Sequence, residues 1–261
     1  MIPLRDTVRL SRWPIVTIAL IVANVVAYLV AISGGGSIID GPTTSTIVGY
    51  GAIPYEFTHL SSHCAIAASG FSQAVLCSGQ ARVVGTPLAQ PATWETAFTS
   101  MFLHANLLHI VGNMVFLAVF GCTLEDTIGR LRFLAFYFLG GLAALALSIA
   151  VSPDSAVPML GASGAIAAVL GGYILLYPRE KILTVVVLIL FFTIVEMPAW
   201  VMLGLWFTFD ALLGAAGVST PFGGGAGVAY YAHIGGFAFG LLAVRAFAQG
   251  RPSRYRPPRT A

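Results

Sequence analysis

Three short polar motifs interrupt otherwise apolar stretches of this sequence. They are HANLLHIVGN at 104–113, GASG at 161–164 and AHIGG at 232–236. Polar side chains are costly in hydrocarbon, so histidine, asparagine and serine inside apolar spans usually serve a function. A serine flanked by glycine, an imidazole that can take its proton and further N–H donors are the parts of a serine hydrolase. The motifs therefore predict nucleophilic acyl transfer within a membrane.

The composition is that of an integral membrane protein. Of the 261 residues, 57% are hydrophobic and 9% are charged, whereas soluble domains average about a quarter charged residues. A spanning helix needs about 20 apolar residues. The apolar runs that approach this length are 13–33, 102–121, 131–151, 159–177, 198–216 and 228–248. We therefore expect an all-α membrane protein, a bundle of six transmembrane helices.

The basic residues predict the topology, because Lys and Arg in short loops favour the cytoplasmic side. With six spans, only Arg82 of the 13 Lys and Arg residues falls on the outer side. Both termini are therefore expected in the cytoplasm. Arg5, Arg9 and Arg12 before the first run could imitate a signal peptide. That run is long and lacks a clean small-x-small cleavage site, which favours an uncleaved anchor.

We expect one membrane domain at 13–249, with a long outer loop at about 34–98. A cytoplasmic N-terminal segment at 1–12 precedes it, and a basic cytoplasmic tail at 250–261 follows it. The outer loop contains Cys64 and Cys77. An exported loop permits a disulfide, but the sequence leaves open whether these two cysteines are joined.

The region 182–214 is ambiguous, since it is too long for one span and too short for two comfortable ones. Two spans would place the basic tail outside and would put His233 at the opposite membrane face from Ser163. We therefore interpret 182–194 as a buried or interfacial cytoplasmic segment and 198–213 as the fifth span.

In the six-span arrangement, the second, fourth and sixth spans run inward, and each polar motif lies at the outer start of one. At about 1.5 Å per residue, the motifs share one depth in the outer third of the bilayer. Ser163 heads a row of small residues on the fourth span, and His233 shares a stripe with Gly236 and Gly240. Small faces let membrane helices approach closely, so we expect His233 within reach of Ser163.

The chemistry assigns a role to each polar group. Ser163 would be the nucleophile, and His233 would take its proton and return it to the leaving amine. Asn113, His109 and the Ser163 backbone N–H are candidates for an oxyanion hole. Residues expected to support the site are His104, Gly161, Gly164, Gly236 and Gly240.

An acid that would complete a catalytic triad is not apparent. Asp210 lies in the fifth span and Asp154 in the loop before Ser163, and neither has a spacing that directs it at His233. We therefore predict a Ser–His dyad.

The three motifs resemble the signatures of rhomboid intramembrane serine proteases, in the same order and on the same spans. The resemblance covers about 95–250 and includes Glu125 and Arg130 after the second span. It implies a six-helix bundle in the plasma membrane that opens to the extracytoplasmic side. It also implies Ser163 as nucleophile, His233 as base, and substrates that are single-span membrane proteins cut near the outer boundary. The glycine-rich stretch at 218–228 would be a lid.

Two positions depart from the family pattern. Many members have Trp-Arg shortly before the first histidine, but here Trp94 is followed by Glu95. Many also carry an aromatic residue four positions after the serine, packed on the catalytic imidazole, where this chain has Ala167. Another group must therefore hold His233 in place.

The expected partners are single-span membrane substrates and membrane lipid. No cofactor or metal is expected, since His59 and His63 with one cysteine do not make an ordinary zinc ligand set. Topology explains the net charge of +3, so we expect no nucleic-acid partner, and the mechanism requires no oligomer. Two alternatives are a rhomboid-like binding protein that does not cut and a small transporter. The presence of both Ser163 and His233 argues against the first, and the clustering of polar residues near one face argues against the second.

Overall fold

The computed structural model of the chain is mostly helical. It describes residues 1–60, 62–69, 72–78, 91–188, 191–215 and 228–249. The helices are α1 (Ile15–Ser33), α2 (Thr44–Tyr50), α3 (Pro54–Thr58), α4 (Thr93–Thr99), α5 (Leu107–Phe116), α6 (Cys122–Ile128), α7 (Arg130–Val151), α8 (Ser163–Leu176), α9 (Ala199–Ala215) and α10 (Val228–Ala248). A 3-10 turn, Ser100–Phe102, follows α4, and a π-helical turn, Leu117–Gly121, makes α5 and α6 one continuous helix.

Within the described residues, four helices are long and apolar enough to cross a membrane. They are Ile15–Ser33, Leu107–Ile128, Arg130–Val151 and Tyr230–Ala248. Two further apolar helices are shorter, with 14 residues in α8 and 17 in α9. All six coincide with predicted apolar runs, whereas the count of six spans and the cytoplasmic side of both termini stay predictions.

The all-α prediction was incomplete, because short strands accompany the helices. The strands are β1 (Ile2–Asp6), β2 (Cys64–Ser69), β3 (Ser72–Cys77), β4 (Lys181–Leu188) and β5 (Phe191–Pro198). Strands β1, β4 and β5 form an antiparallel sheet in that order. The segment predicted at 182–194 is therefore a hairpin, as its β-branched and aromatic residues favour. It pairs with the N-terminal segment and begins shortly after the end of α8 that is remote from Ser163.

The outer loop has its own structure, built around a disulfide between Cys64 and Cys77 that joins β2 to β3. The carboxylate of Glu56 on α3 accepts the Cys64 N–H at 2.8 Å. Burial is the main cause that raises the pKa of this carboxyl. The loop also contacts the segment before Ser163, since Ala52 forms a β-bridge with Met159 and Tyr55 N–H donates to the Ser155 carbonyl at 3.1 Å.

Helix α8 lies at the centre of the bundle, and each residue from 164 to 173 is buried. Glycines allow α10 to approach it. A Cβ on Gly171 would clash with the Phe237 carbonyl oxygen, and one on Gly240 would clash with the Ala168 carbonyl oxygen. These contacts place the two backbones against each other, as the small residues on both helices predicted.

Glu125 has a structural role at the other end of the bundle. Its carboxylate accepts the Thr17 N–H at 2.7 Å, the Thr17 hydroxyl at 2.8 Å and the Val16 N–H at 3.1 Å. The two N–H groups belong to the first turn of α1, where backbone donors have no partner within the helix. The Arg130 guanidinium is 3.9 Å from the same carboxylate, so the pair ties the start of α1 to α6 and α7.

Candidate active site

Ser163 is the first residue of α8, at the end of a tightly held turn. Gly161 has a φ of +115°, which a residue with a side chain rarely adopts, and its N–H donates to the Ser100 carbonyl at 2.8 Å. The first N–H groups of a helix have no partner within the helix, and the positive end of the helix dipole lies there as well. Ser163 is half-buried, so its hydroxyl and backbone N–H stand together at the end of α8.

The contact between α8 and α10 brings His233 to the same region. A Cβ on Gly236, one turn after His233, would clash with the Gly164 carbonyl oxygen, and Ala232 borders Gly164 as well. The Nε2 atom of His233 is buried and has no hydrogen-bond partner within the part of the chain that the structure describes. No described group, Ser163 included, is hydrogen-bonded to this nitrogen, so Nε2 is a buried atom with its bonding capacity unused near the start of α8.

Asn113 and His109 lie beside the turn that precedes Ser163. A Cβ built on Gly161 would be 2.8 Å from His109 Nε2 and 3.6 Å from Asn113 Nδ2. His109 is 3% exposed and Asn113 is 9% exposed. The amide nitrogen Nδ2 of Asn113 has no hydrogen-bond partner among the described residues, so it is a buried donor beside the turn that precedes Ser163.

The hydrogen bonds of His109 indicate which of its nitrogens can donate. Its Nδ1 accepts the Ala105 N–H at 3.4 Å, so the proton of the neutral ring belongs on Nε2. The ring position is set locally, because the Asn106 side chain caps α5 by accepting the His109 N–H at 2.8 Å. Nε2 therefore faces Gly161 as a second donor.

His104 supports His109 from behind. It is fully buried, and its Nδ1 lies 3.2 Å from the Phe102 carbonyl oxygen. The two imidazole rings meet edge to face, with centroids 5.0 Å apart. Within the described contacts, His104 thus touches His109 rather than Ser163.

A cavity of about 50 Å³ opens beside Ser163. Its walls include Gly161, Ala232, Met101, Leu145 and Met159. By volume it holds a few water molecules, since one water needs roughly 10–15 Å³ on this measure. The mainly apolar lining suits a small apolar side chain placed next to Ser163.

The prediction that no acid reaches His233 was wrong. Asp210 Oδ2 lies 2.8 Å from His233 Nδ1, and both side chains are mostly buried, with 16% and 12% exposed. Spacing along the sequence could not reveal this contact, because Asp210 belongs to α9 and packs laterally against α10. The usable signal was the presence of an ionisable group inside an apolar helix, which requires a partner. Asp154 lies instead 3.9 Å from His59 in the outer loop.

The structure also shows what stands near the imidazole in place of an aromatic residue at position 167. Trp206, one turn before Asp210 on α9, has its ring centroid 5.7 Å from that of His233, with the planes tilted by 43°. Ala167 is fully buried, and its Cβ lies close to Gly236 in the α8–α10 contact.

Two further expectations concern the surroundings of the site. Glu95, which stands where the family often has arginine, accepts the Ala92 N–H at 3.1 Å and so caps its own helix α4. The stretch 218–228, predicted as a lid, lies outside the described residues except for its last residue, Val228, where α10 begins. The tail 250–261 lies outside them entirely.

Comparison with known proteins identifies the family. A model of the Rhomboid domain matches residues 91–250. The chain is similar to "Rhomboid protein 1, mitochondrial" of Saccharomyces cerevisiae, with 33% identity over 55% of this chain and 39% of that protein. It is also similar to "Rhomboid-like protease 3" of Toxoplasma gondii, with 38% identity over 28% of this chain and 27% of that protein. The matched part of the chain therefore covers well under half of either relative. Because the match to the Rhomboid domain covers more than half of the chain, the chain belongs to the rhomboid family.

Proposed function

We propose that this membrane protein is a serine endopeptidase that cuts single-span membrane proteins near the extracytoplasmic boundary. The family membership and a relative named as a protease support an intramembrane protease. The observation that carries the finer proposal is the convergence of four groups on one end of α8. Ser163 begins the helix, His233 approaches across the Gly164–Gly236 contact, and two buried side-chain donors face Gly161.

The reaction follows from these groups. Ser163 Oγ attacks the carbonyl carbon of the scissile bond while His233 Nε2 takes its proton. The tetrahedral intermediate collapses, and the imidazolium gives that proton to the leaving amine. A water molecule then attacks the acyl-enzyme, again losing its proton to His233, and the new carboxyl end departs as Ser163 recovers its proton.

The oxyanion hole would use donors of three origins. Asn113 Nδ2 comes from the middle of α5, His109 Nε2 from one turn earlier, and the Ser163 N–H from the start of α8. One such donor is worth about 10²–10³ in rate in a serine protease. In an environment with little water these dipoles need no reorganisation during the reaction, and the positive end of α8 adds to them.

The length of α8 supports cleavage below the membrane surface. Its 14 residues extend about 21 Å at 1.5 Å per residue, roughly 9 Å less than the hydrocarbon core. With its remote end at the inner boundary, α8 would place Ser163 inside the outer leaflet. A substrate helix must unwind there before its carbonyls become accessible, because all its backbone groups are paired in hydrocarbon.

Location and partners complete the proposal. The distribution of basic residues supports cytoplasmic termini, and hence an active site that opens to the extracytoplasmic side of the plasma membrane. The partners are single-span substrates and surrounding lipid, without a required oligomer. Fractionation of cells, together with reporter fusions at both termini, tests this location directly.

The test of activity uses the full chain purified into liposomes with a single-span reporter. We expect cutting by the wild type and a loss of at least about 10³-fold in Ser163→Ala and His233→Ala. Ser33→Ala and His63→Ala are matched controls, because Ser33 is exposed on α1 and His63 is exposed in the outer loop. Cutting that survives Ser163→Ala would exclude Ser163 as the nucleophile.

The reporter itself can test the unwinding step. A Gly-Pro pair near the outer end of its span should speed cutting, since it weakens the helix where Ser163 lies. The same pair at the inner end is the control. Faster cutting from the inner position would contradict the proposed depth and side of the site. A fluorophosphonate that labels wild-type Ser163 would show that the enzyme is competent if the first reporter is not cut.

A further inference from the structure

We propose that Asp210 is a positioning residue that holds His233 in its catalytic tautomer, with Trp206 beside it as the second part of an imidazole clamp on α9. This inference rests on the proposed function, since it assigns His233 the role of base. It replaces the predicted dyad with a Ser–His–Asp arrangement in which the acid comes from a neighbouring helix.

The contact with Asp210 determines the proton on the ring. A carboxylate only accepts hydrogen bonds, so at 2.8 Å the Nδ1 of His233 must be the protonated nitrogen. The lone pair then lies on Nε2, the buried atom that has no hydrogen-bond partner among the described residues. That is the tautomer that can take a proton from Ser163.

Burial makes the same contact important in the transition state. When His233 accepts the Ser163 proton it becomes an imidazolium, and a cation in an environment with little water needs a nearby anion. Asp210 provides that charge at hydrogen-bond distance. Through this contact Asp210 orients the ring and stabilises the charge that forms on it.

Trp206 restricts the ring from another direction. Trp206 and Asp210 are four residues apart, so they share one face of α9. The indole is itself in contact with Phe116 on α5, with centroids 5.8 Å apart. The imidazole thus contacts both an aromatic ring and a carboxylate of one helix, which accounts for its placement when position 167 holds only alanine.

The alternative is that the contact merely satisfies a buried charge and helps α9 to pack. The two roles differ in their consequences for catalysis. A packing contact affects folding and substrate affinity, whereas a positioning contact affects kcat and the position of the ring proton. Asp210→Asn separates them, because the asparagine amide can donate to Nδ1 and thereby favour the proton on Nε2, where it blocks the base.

The kinetic test compares variants of the full chain in liposomes. We expect Asp210→Asn to lower kcat by about 10²–10⁴-fold with KM unchanged, and Asp210→Glu to recover part of the loss. Thr208→Val is the matched control, since this exposed residue of the same helix bonds only to its own backbone, at the Gly204 carbonyl, among the described contacts. Wild-type kcat in Asp210→Asn, or a change in KM alone, would overturn the inference.

A spectroscopic measurement keeps the inference testable without turnover. The measurement is ¹⁵N NMR of the chain with labelled histidine. His233 is one of five histidines, and its signals are identified by their loss in His233→Gln. We expect a protonated Nδ1 in the wild type and in Ser163→Ala, and a protonated Nε2 in Asp210→Asn. An unchanged tautomer in Asp210→Asn would refute the clamp, whereas Ser163-independent cutting would refute the proposed function and leave the tautomer result standing.

Discussion

Gly161→Ala is the substitution with the sharpest consequence for the site. The residue has a φ of +115°, and a Cβ there would be 2.8 Å from both Cε1 and Nε2 of His109. The methyl group therefore destabilises the turn in two ways, through an unfavourable backbone conformation and through a clash with the imidazole. Because His109 is packed against His104 and its backbone N–H is held by the Asn106 cap, the ring has little room to withdraw.

The magnitude follows from these two penalties. A non-glycine residue in a sparsely populated backbone region costs about 1–3 kcal/mol. An extra methyl group in a packed interior costs about 1–3 kcal/mol more. We expect the free energy of unfolding to fall by about 2–6 kcal/mol, less if the turn shifts. A shift of the turn moves Ser163 or displaces His109, so kcat should fall by about 10²-fold or more.

The assay combines thermal unfolding in detergent with the rate of reporter cleavage at saturating substrate. Gly49→Ala is the matched control, since a Cβ at Gly49 on α2 has nothing within 4 Å. The control should keep wild-type stability and rate. Refutation would be a Gly161→Ala protein that melts with the wild type and cuts at its rate, because the turn would then tolerate the methyl group.

Three further predictions concern the packing and the outer loop. Gly236→Ala should slow cleavage and lower the free energy of unfolding by about 1–3 kcal/mol, since its methyl group would clash with the Gly164 carbonyl oxygen. Gly204→Ala is the control, because a Cβ at Gly204 on α9 has nothing within 4 Å. Equal melting temperatures for the two variants would contradict the α8–α10 contact. Replacing both Cys64 and Cys77 by serine should lower the stability of the outer loop by about 3 kcal/mol, given their separation of 13 residues. Limited proteolysis within 62–78 should then become faster, and an unchanged rate would contradict this prediction. Burial raises the pKa of Glu56, so the folded chain binds the carboxyl proton more strongly than the unfolded chain does. The stability that this proton contributes is lost as the pH rises through the raised pKa. The melting temperature of Glu56→Gln relative to wild type should therefore rise from about pH 4 to about pH 7, and a constant difference would count against the buried carboxyl.

The sequence was most informative where a pattern repeats along one helix. The stripe of Gly236 and Gly240 predicted the side of α10 that meets α8, because side chains three and four positions apart share a face. The bounds of helices α1 and α7 were also predicted closely, because the length of an apolar run that can cross a bilayer is set by the hydrophobic thickness.

The sheet at the remote end of the bundle was harder to predict. Strand β1 pairs with β4, which lies about 180 residues later in the chain, and local patterns do not record such pairing. The apolar run at 182–194 has the β-branched composition of a strand, but in a chain rich in apolar spans the same run resembles part of a helix. Pro198 marked the boundary correctly, since α9 begins at the next residue.

Asp210 shows that a different criterion would have found the third member of the site. We required the spacing of an acid to direct it at His233, a criterion suited to residues on one element. In a membrane the stronger constraint is energetic, because an ionisable group inside an apolar helix needs a partner. His233 and Asp210 both lie in apolar runs and each could satisfy the other, so the cost of leaving them apart already favoured their contact. The same reasoning explains why the clamp tolerates alanine at 167: once a neighbouring helix supplies a carboxylate at Nδ1, the ring no longer depends on an aromatic side chain of α8.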